Sequence, residues 1–231
     1  MIAAFLEVLA GRPLATAALV ILSCLTRPIE VLKLIFILLT VPLEVVQGIA
    51  RSIAPSFFER DVSDDVVFIT GAASGLGKLM AKQFAELGAT VVMIDKDSSA
   101  LTLAQADICD GMRDAIDHEW RTVPYAFAAD ISDREQTYTT MRQAAARAGN
   151  CTILINNAGV VTGKKLMDAP DDGIELSFRV NVLAHCWTIK SVLPSMMLAK
   201  RGHIVTIASS AGLIGVPGLS DYCASKVWRS D

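Results

Sequence analysis

Residues 66–77, VVFITGAASGLG, constrain this chain more than any other stretch. Val66, Val67, Phe68 and Ile69 read as a short buried strand, which Thr70 and Gly71 end. Gly75 and Gly77 then open into KLMAKQFAELG, where Leu79, Met80, Phe84 and Leu87 recur at helical spacing. A strand, a glycine turn and a helix N-terminus form a cradle for phosphate. Backbone N–H groups and the positive helix end face the anion, and glycine removes the Cβ that would keep it away. Gly71, Gly75 and Gly77 are spaced Gly-x-x-x-Gly-x-Gly, with Ser74 and Leu76 inside the turn. Glycines after a strand also serve as plain turn residues, so the rest of the chain must decide between the two readings.

Net charge is −3 with no basic run, which gives no reason to expect nucleic acid as a partner. The five cysteines, Cys24, Cys109, Cys151, Cys186 and Cys223, are scattered, with no pairing of Cys or His at metal-ligand spacing. They read as small apolar residues of a reducing compartment, and no metal site is expected.

Hydrophobic residues make up 52% of the chain, and the excess lies before residue 50. Residues 13–25 (PLATAALVILSCL) are bracketed by Arg12 and Arg27, and residues 34–43 (LIFILLTVPL) by Lys33 and Glu44. A membrane-spanning helix needs about 20 apolar residues, and each run falls short, with Pro28 between them and Pro42 inside the second. A spanning anchor or helical hairpin, a monotopic anchor with Arg12, Arg27 and Lys33 at the headgroups, and a cleaved signal peptide all compete. The signal peptide fits worst, because Glu7 sits in the early run and no basic residue precedes it. Two buried helices of a soluble fold are the remaining alternative. We expect residues 1–50 to be a membrane anchor, residues 51–65 a polar linker carrying Phe57 and Phe58, and residues 66–231 one domain.

From Val66 the pattern alternates. Strands are expected at residues 66–70, 89–95, 123–130, 151–159 and 203–210, and helices at 77–88, 98–120, 134–149, 175–200 and from 221 onward. Gly111 is a weak point in the second helix. Repeated strand–helix units with apolar strands imply an α/β fold, a doubly wound parallel sheet that binds ligands at the carboxyl ends of its strands.

Asp95 closes the second strand, 18 residues after Gly77, where a carboxylate would hydrogen-bond an adenosine ribose. It would repel a 2′-phosphate, which favours NAD over NADP, though Lys96 and Lys78 lie close by. The alternative is an ordinary solvated acid at a strand end. Tyr222 and Lys226 are four apart in YCASK and share a helix face. A neighbouring ammonium stabilises phenolate and brings a reference pKa of about 10 toward neutrality, so Tyr222 can serve as a general base. Ser209 ends the fifth strand 13 residues earlier and can reach the same reacting oxygen at the carboxyl edge of the sheet. Ser210 is its rival, and strand alternation lets only one of them face the site.

With these residues the chain resembles the short-chain dehydrogenase/reductase family. The matching elements are TGAASGLG at 70–77, Asp95, Asp130 with Ile131, NNAG at 156–159, Asn181, Ser209, and YCASK at 222–226. The match covers residues 66 to about 228, and with the apolar leader the chain resembles the membrane-anchored retinol and 17β-hydroxysteroid dehydrogenase branch. The resemblance implies a Rossmann-type fold and a role for each residue. Tyr222 would be the acid/base, Lys226 would hold the nicotinamide ribose and depress the tyrosine pKa, and Ser209 would orient the substrate oxygen. Asn181 would hold a water through a local helix irregularity. Asp130 and Ile131 would contact adenine, and Asn157, Ala158 and Gly159 would line the cofactor cleft, with Asn157 mainly steadying the strand. The plainer alternatives are that Asn181 is a buried polar residue of the helix and Asn156 a turn former.

Family members continue beyond the helix that Tyr222 begins, through two further strands and a loop over the substrate, whereas this sequence ends at Asp231. A truncated or incomplete form is therefore expected, with the fifth strand as an exposed edge, weak cofactor binding and poor turnover. The implied function is NAD-dependent oxidation of a lipophilic alcohol, retinoid- or steroid-like. The alternatives are NADPH-dependent reduction of a lipid ketone and a catalytically impaired, membrane-anchored scaffold. A homodimer is possible by resemblance. The domain is expected to face the cytosol from the endoplasmic reticulum or a lipid droplet.

Overall fold

A computed structural model describes residues 60–113 and 123–227. The expectations for the anchor, for all but the end of the linker, and for the close of the second helix lie outside these residues. Five strands follow in order: β1 (Val66–Thr70), β2 (Thr90–Asp95), β3 (Tyr125–Ala128), β4 (Ile153–Asn156) and β5 (His203–Thr206). They form one parallel sheet in the order β3-β2-β1-β4-β5, so the chain runs outward from β1 to one edge and returns to build the other half. The carboxyl ends of β1 and β4 lie side by side at this reversal, with Ile69 opposite Ile155. This is the crevice where doubly wound sheets bind ligands.

Strand alternation splits the core into two layers. Val67, Ile69, Val91, Met93, Ile153 and Ile155 point to one face, where Ala81 and Ala85 of α1 (Gly75–Glu86) and Leu101, Ala104 and Ile108 of α2 (Ser98–Arg113) cover them. Phe68, Val92, Ile94, Phe127 and Leu154 point to the other. There they meet Met141 and Ala144 of α3 (Arg134–Ala148), Val180, and Ala184, Val192 and Met196 of α5 (Ala184–Ala199). Helices on both faces of an all-parallel sheet fulfil the expected fold class. Asp133 caps α3, its side chain accepting a hydrogen bond from the Gln136 N–H.

The boundaries shift in places. The helix expected at 175–200 begins four residues earlier, as α4 (Asp171–Phe178), because Asp171 and Asp172 suit a first turn that follows Pro170. It passes through a π-helical segment (Arg179–Leu183) before continuing as α5, the Ala184 N–H reaching back to the Arg179 carbonyl. The joined helix is long and apolar enough by composition to cross a membrane, but Val180, Ala184, Val192 and Met196 bury its inner face on the sheet. The fifth strand stops at Thr206, not residue 210: Ser209 caps a short 3₁₀ turn, Ser210–Gly212, that ends the extended run. Gly111 does not interrupt α2, which runs on to Arg113. The last helix described is α6 (Ser220–Val227). Among the described residues β5 is an edge strand.

Candidate functional site

The glycine turn is built by close approach. A Cβ on Gly77 would strike the Gly71 carbonyl oxygen and come within 2.6 Å of Asn157 Nδ2, and one on Gly71 would sit 2.8 Å from Ala158 Cα. Gly75 differs. Its φ is +52°, and a Cβ there would meet nothing within 4 Å, so it would project into open space at the α1 N-terminus. That open space, beside free N–H groups of a first turn whose Ser74 cap makes no side-chain hydrogen bond, fits a phosphate-bearing ligand.

Three polar side chains hold the turn against its neighbours. Asn157 Nδ2 donates to the carbonyls of Thr70 (2.9 Å) and Gly71 (3.1 Å). Thr70 Oγ1 accepts from the N–H groups of Asn157 and Ala158, each at 3.1 Å. Asp95 is no free strand-end acid: Oδ2 accepts from the Ala73 N–H in the turn at 3.0 Å, and Oδ1 from the Asp97 N–H at 3.1 Å. Asp130 similarly accepts from the Ser132 N–H at 2.9 Å, which fixes the corner after β3. Asn156 is not in a turn. It ends β4, buried, and its Oδ1 accepts from Thr188 Oγ1 of α5 at 2.8 Å.

A cleft of about 310 Å³ lies over these groups, lined by Gly71, Ser74, Asp95, Asp130, Ile131, Asn157, Ala158 and Gly159 together with Ile94, Lys96, Ala129, Val160, Leu176 and Val180. Gly75 and Gly77 do not line it: Gly77 is buried in the turn and Gly75 faces solvent. Lys78 is turned away, ion-paired to Asp107 of α2 at 2.7 Å. A second hollow shares Asn157, Gly159 and Val160 with the first and adds Leu76, Val161, Ile207, Ala208, Leu219, Tyr222 and Lys226. The two hollows adjoin at Asn157, Gly159 and Val160, Asp95 and Asp130 lining the first and Tyr222 and Lys226 the second; together they are the candidate groove.

Lys226 Nζ donates to the Ile207 carbonyl at 2.9 Å and lies 5.8 Å from the centre of the Tyr222 ring. Burial lowers its pKa from the usual lysine value. Asn181 lies in the π-helical segment, buried, with every side-chain hydrogen-bonding position on one side engaged: Oδ1 accepts from the Val160 N–H, while Nδ2 donates to the Val160 carbonyl and to Ser225 Oγ, each at 2.9 Å. The helix irregularity expected at Asn181 is present. Ser209 does not share a hollow with Tyr222. It lines a separate one of about 300 Å³ with Asn181, His185, Thr206, Ser225 and Lys226, and its Oγ accepts from the Ala211 N–H at 3.2 Å. Ser210 is exposed and lines neither hollow. The two hollows meet at Ile207, Ala208 and Lys226.

Three contributors were not singled out in the sequence. Thr70 was taken only as a strand end. His185 is 1% exposed, and burial, then the nearby Lys226 charge, push its pKa down to about 4 against a hydrogen bond to the Ala158 backbone. Asp221 is buried at the start of α6. Burial alone would raise its pKa, but hydrogen bonds from Ser177 and Thr162, with backbone N–H groups, hold it below the usual carboxylate value. The one sequence signal for Asp221 is an acid in a helix first turn beside Tyr222, and that signal points only to helix stabilisation.

The family model described as short chain dehydrogenase matches residues 65–228. Epidermal retinol dehydrogenase 2 of Homo sapiens is 46% identical over 167 residues, 72% of this chain and 52% of that protein. Estradiol 17-beta-dehydrogenase 11 of Macaca fascicularis is 41% identical over 167 residues, 72% of this chain and 53% of that one. The chain thus spans about half the length of the curated relatives it matches. A Burkholderia phymatum short chain dehydrogenase/reductase in complex with NAD superposes with a TM-score of 0.66 at 29% identity, covering 73% of this chain and 57% of that one. A metagenomic short-chain oxidoreductase in complex with NADP gives 0.64 at 30% identity, with 72% of each chain covered.

Proposed function

The chain belongs to the short chain dehydrogenase family, and on that premise we propose that it moves hydride between a lipophilic alcohol and NAD. The observation that carries the reading is the pair of adjoining hollows: the phosphate-type turn and strand-end carboxylates on one, Tyr222 and Lys226 on the other, with Asn157, Gly159 and Val160 lining both.

A nicotinamide dinucleotide, when bound, supplies the two-electron acceptor or donor. The α1 N-terminus and the open space above Gly75 hold its phosphates, Asp95 its adenosine ribose, and Asp130 and Ile131 the adenine edge. Asp95 favours NAD, because a second negative charge beside a carboxylate already fixed by two backbone N–H groups is repelled. Lys96, which lines the same cleft, is what an NADPH-dependent ketone reductase would use instead. Tyr222 takes the hydroxyl proton as the carbinol carbon loses hydride, and returns it in the reverse direction. Lys226 places a positive charge beside the ring and reaches toward the ribose. Asn181 holds the π-helical segment against residue 160, and Ser209, in the adjoining hollow, steadies the substrate oxygen.

Residues 1–50 act as a membrane anchor, 51–65 as a linker and 66–231 as the catalytic domain, facing the cytosol from the endoplasmic reticulum or a lipid droplet. The names of the relatives, retinol and estradiol dehydrogenases, support a retinoid- or steroid-like substrate presented from a lipid phase. The test is oxidation of retinol and estradiol by the chain in detergent with NAD⁺ or NADP⁺, beside Tyr222→Phe. The reading expects Tyr222→Phe to lose at least about 100-fold in kcat, the scale of general acid–base catalysis. A variant that turns over like the parent excludes Tyr222 as the proton-transfer group.

A further inference from the structure

Asp221 and Ser225 sit four apart on α6 and face inward, each 5% exposed or less. Ser177 and Asn181 are also four apart, on α4 and the π-helical segment, and both are buried. Residues at this spacing stack one turn above the other. Val160 and Thr162 are two apart in the loop after β4. Hydrogen bonds join the three pairs into two rungs. In the first, Asp221 Oδ2 accepts from Ser177 Oγ at 2.7 Å and Oδ1 from Thr162 Oγ1 at 2.8 Å. In the second, Asn181 spans the Val160 backbone and Ser225 Oγ, and Ser225 Oγ donates to the Tyr222 carbonyl at 2.8 Å. Tyr222 and Lys226 each follow a rung residue by one position, so the rungs set the rotation of α6 that turns both toward the groove.

We propose that Asp221 is a positioning residue for Tyr222. Among the described residues its carboxylate is the one group hydrogen-bonded from α6 to both α4 and the loop after β4, and through this rung it fixes where the tyrosine hydroxyl stands. The inference rests on the role given to Tyr222 above, but the rung itself does not. A carboxylate suits the position because both of its oxygens accept, so two hydroxyls from different elements converge on it without competing. Asparagine keeps one acceptor and, with one hydroxyl reversed to accept from its amide, rebuilds both links. Alanine rebuilds neither.

The test uses the full chain in detergent carrying Asp221→Ala, Asp221→Asn, Ser177→Ala, Thr162→Val and the Asp221→Ala/Ser177→Ala double variant. Thermal unfolding reads the rung without turnover. Asp221→Ala lowers Tm on the order of 5 °C, and adding Ser177→Ala lowers it no further, because the two share one bond. Carbon-13 labelling of tyrosine then reads position. The Tyr222 ring resonance, identified by its loss in Tyr222→Phe, moves in Asp221→Ala and in Thr162→Val and returns in Asp221→Asn. The Tyr125 and Tyr138 resonances stay in place. With NAD⁺ and retinol, Asp221→Ala loses at least tenfold in kcat while the KM for NAD⁺ stays within twofold, and Asp221→Asn recovers to within threefold. Strictly additive Tm losses, or a Tyr222 resonance unmoved by Asp221→Ala and Thr162→Val, overturn the proposal. A parent chain that oxidises no alcohol overturns the functional reading instead, and the melting and resonance data still decide the rung.

Discussion

Replacing Gly77 or Gly75 by alanine separates the two jobs of the glycine turn. At position 77 the added methyl meets the Gly71 carbonyl oxygen and Asn157 Nδ2, the first of them backbone that no rotamer change can move aside. Overpacking of this kind costs about 1–3 kcal/mol. Displacing Asn157 also endangers its two bonds to the Thr70 and Gly71 carbonyls, each worth about 1 kcal/mol. Against this stands a helix-propensity gain of about 1 kcal/mol for Ala over Gly, which leaves a net loss of about 2–4 kcal/mol. For a domain of this size that lowers Tm on the order of 5–10 °C. At position 75 the added methyl meets nothing, and the cost is the left-handed backbone alone, φ +52°, about 1–2 kcal/mol. Reduced freedom of the unfolded chain returns about 0.4–1 kcal/mol, so Tm falls only about 2–4 °C. Binding reverses the order, because the Gly75 methyl occupies the space where phosphate approaches. Calorimetric titration with NAD⁺ should show Gly75→Ala weakening binding more per degree of Tm lost than Gly77→Ala does. The reasoning fails if Gly77→Ala melts with the parent, or if Gly75→Ala binds NAD⁺ unchanged.

Asp95→Ala should cut the preference for NAD⁺ over NADP⁺ at least tenfold in titrations of both cofactors, with about 1 kcal/mol of stability lost from the freed Ala73 and Asp97 N–H groups. His185 titrates near 4 in the folded chain against 6.5 ordinarily, so the unfolded state binds its proton first. The stability it contributes is complete above pH 6.5 and is lost as pH falls toward 4, up to about 3 kcal/mol; the fall in Tm between pH 7 and 4.5 should therefore be shallower in His185→Gln than in the parent. Arg201→Ala breaks a 2.8 Å ion pair with the fully buried Asp65, but the arginine is half exposed and water can replace it, so denaturant unfolding should show a loss of about 1 kcal/mol rather than the 3–5 kcal/mol of a fully buried pair.

The sheet was legible because its strands announce themselves twice. Runs such as VVFI and VVMI are apolar at every position, as strands covered on both faces must be, and each is followed by a helix with its own turn residues. The errors fall where local chemistry gives no period. Residues 207–210 continue the apolar-then-small pattern of β5, yet Ser209 takes a backbone N–H and starts a 3₁₀ turn. The helical period of α4 shows in the sequence only from residue 175, although two acids after a proline also fit the first turn of a helix.

The two ends of the groove were not equally legible, and the reason is sequence distance. At the phosphate end the candidate residues Gly71, Gly75, Gly77 and Asp95 lie on contiguous strand, turn and helix segments, so their spacing singles them out, although Gly75 and Gly77 do not line the cleft and Asn157, which holds the turn, comes from the loop after β4. At the other end, only Tyr222 and Lys226 share an element. Ser209 and Tyr222 belong to different elements joined by a 3₁₀ turn and a loop, and they line adjacent hollows that meet at Ile207, Ala208 and Lys226. The same holds for Asp221: its partners Ser177 and Thr162 lie 44 and 59 residues away. Its spacing from Ser225 is the spacing of Tyr222 from Lys226, and the sequence contains no term that distinguishes the two pairs. What distinguishes them is which side of α6 the loop after β4 and the π-helical segment cover, a fact of topology. A residue-pair pattern on a short helix therefore identifies chemistry only after the covered face is known. On the proposal above, the buried pair then sets the aim of the half-buried one.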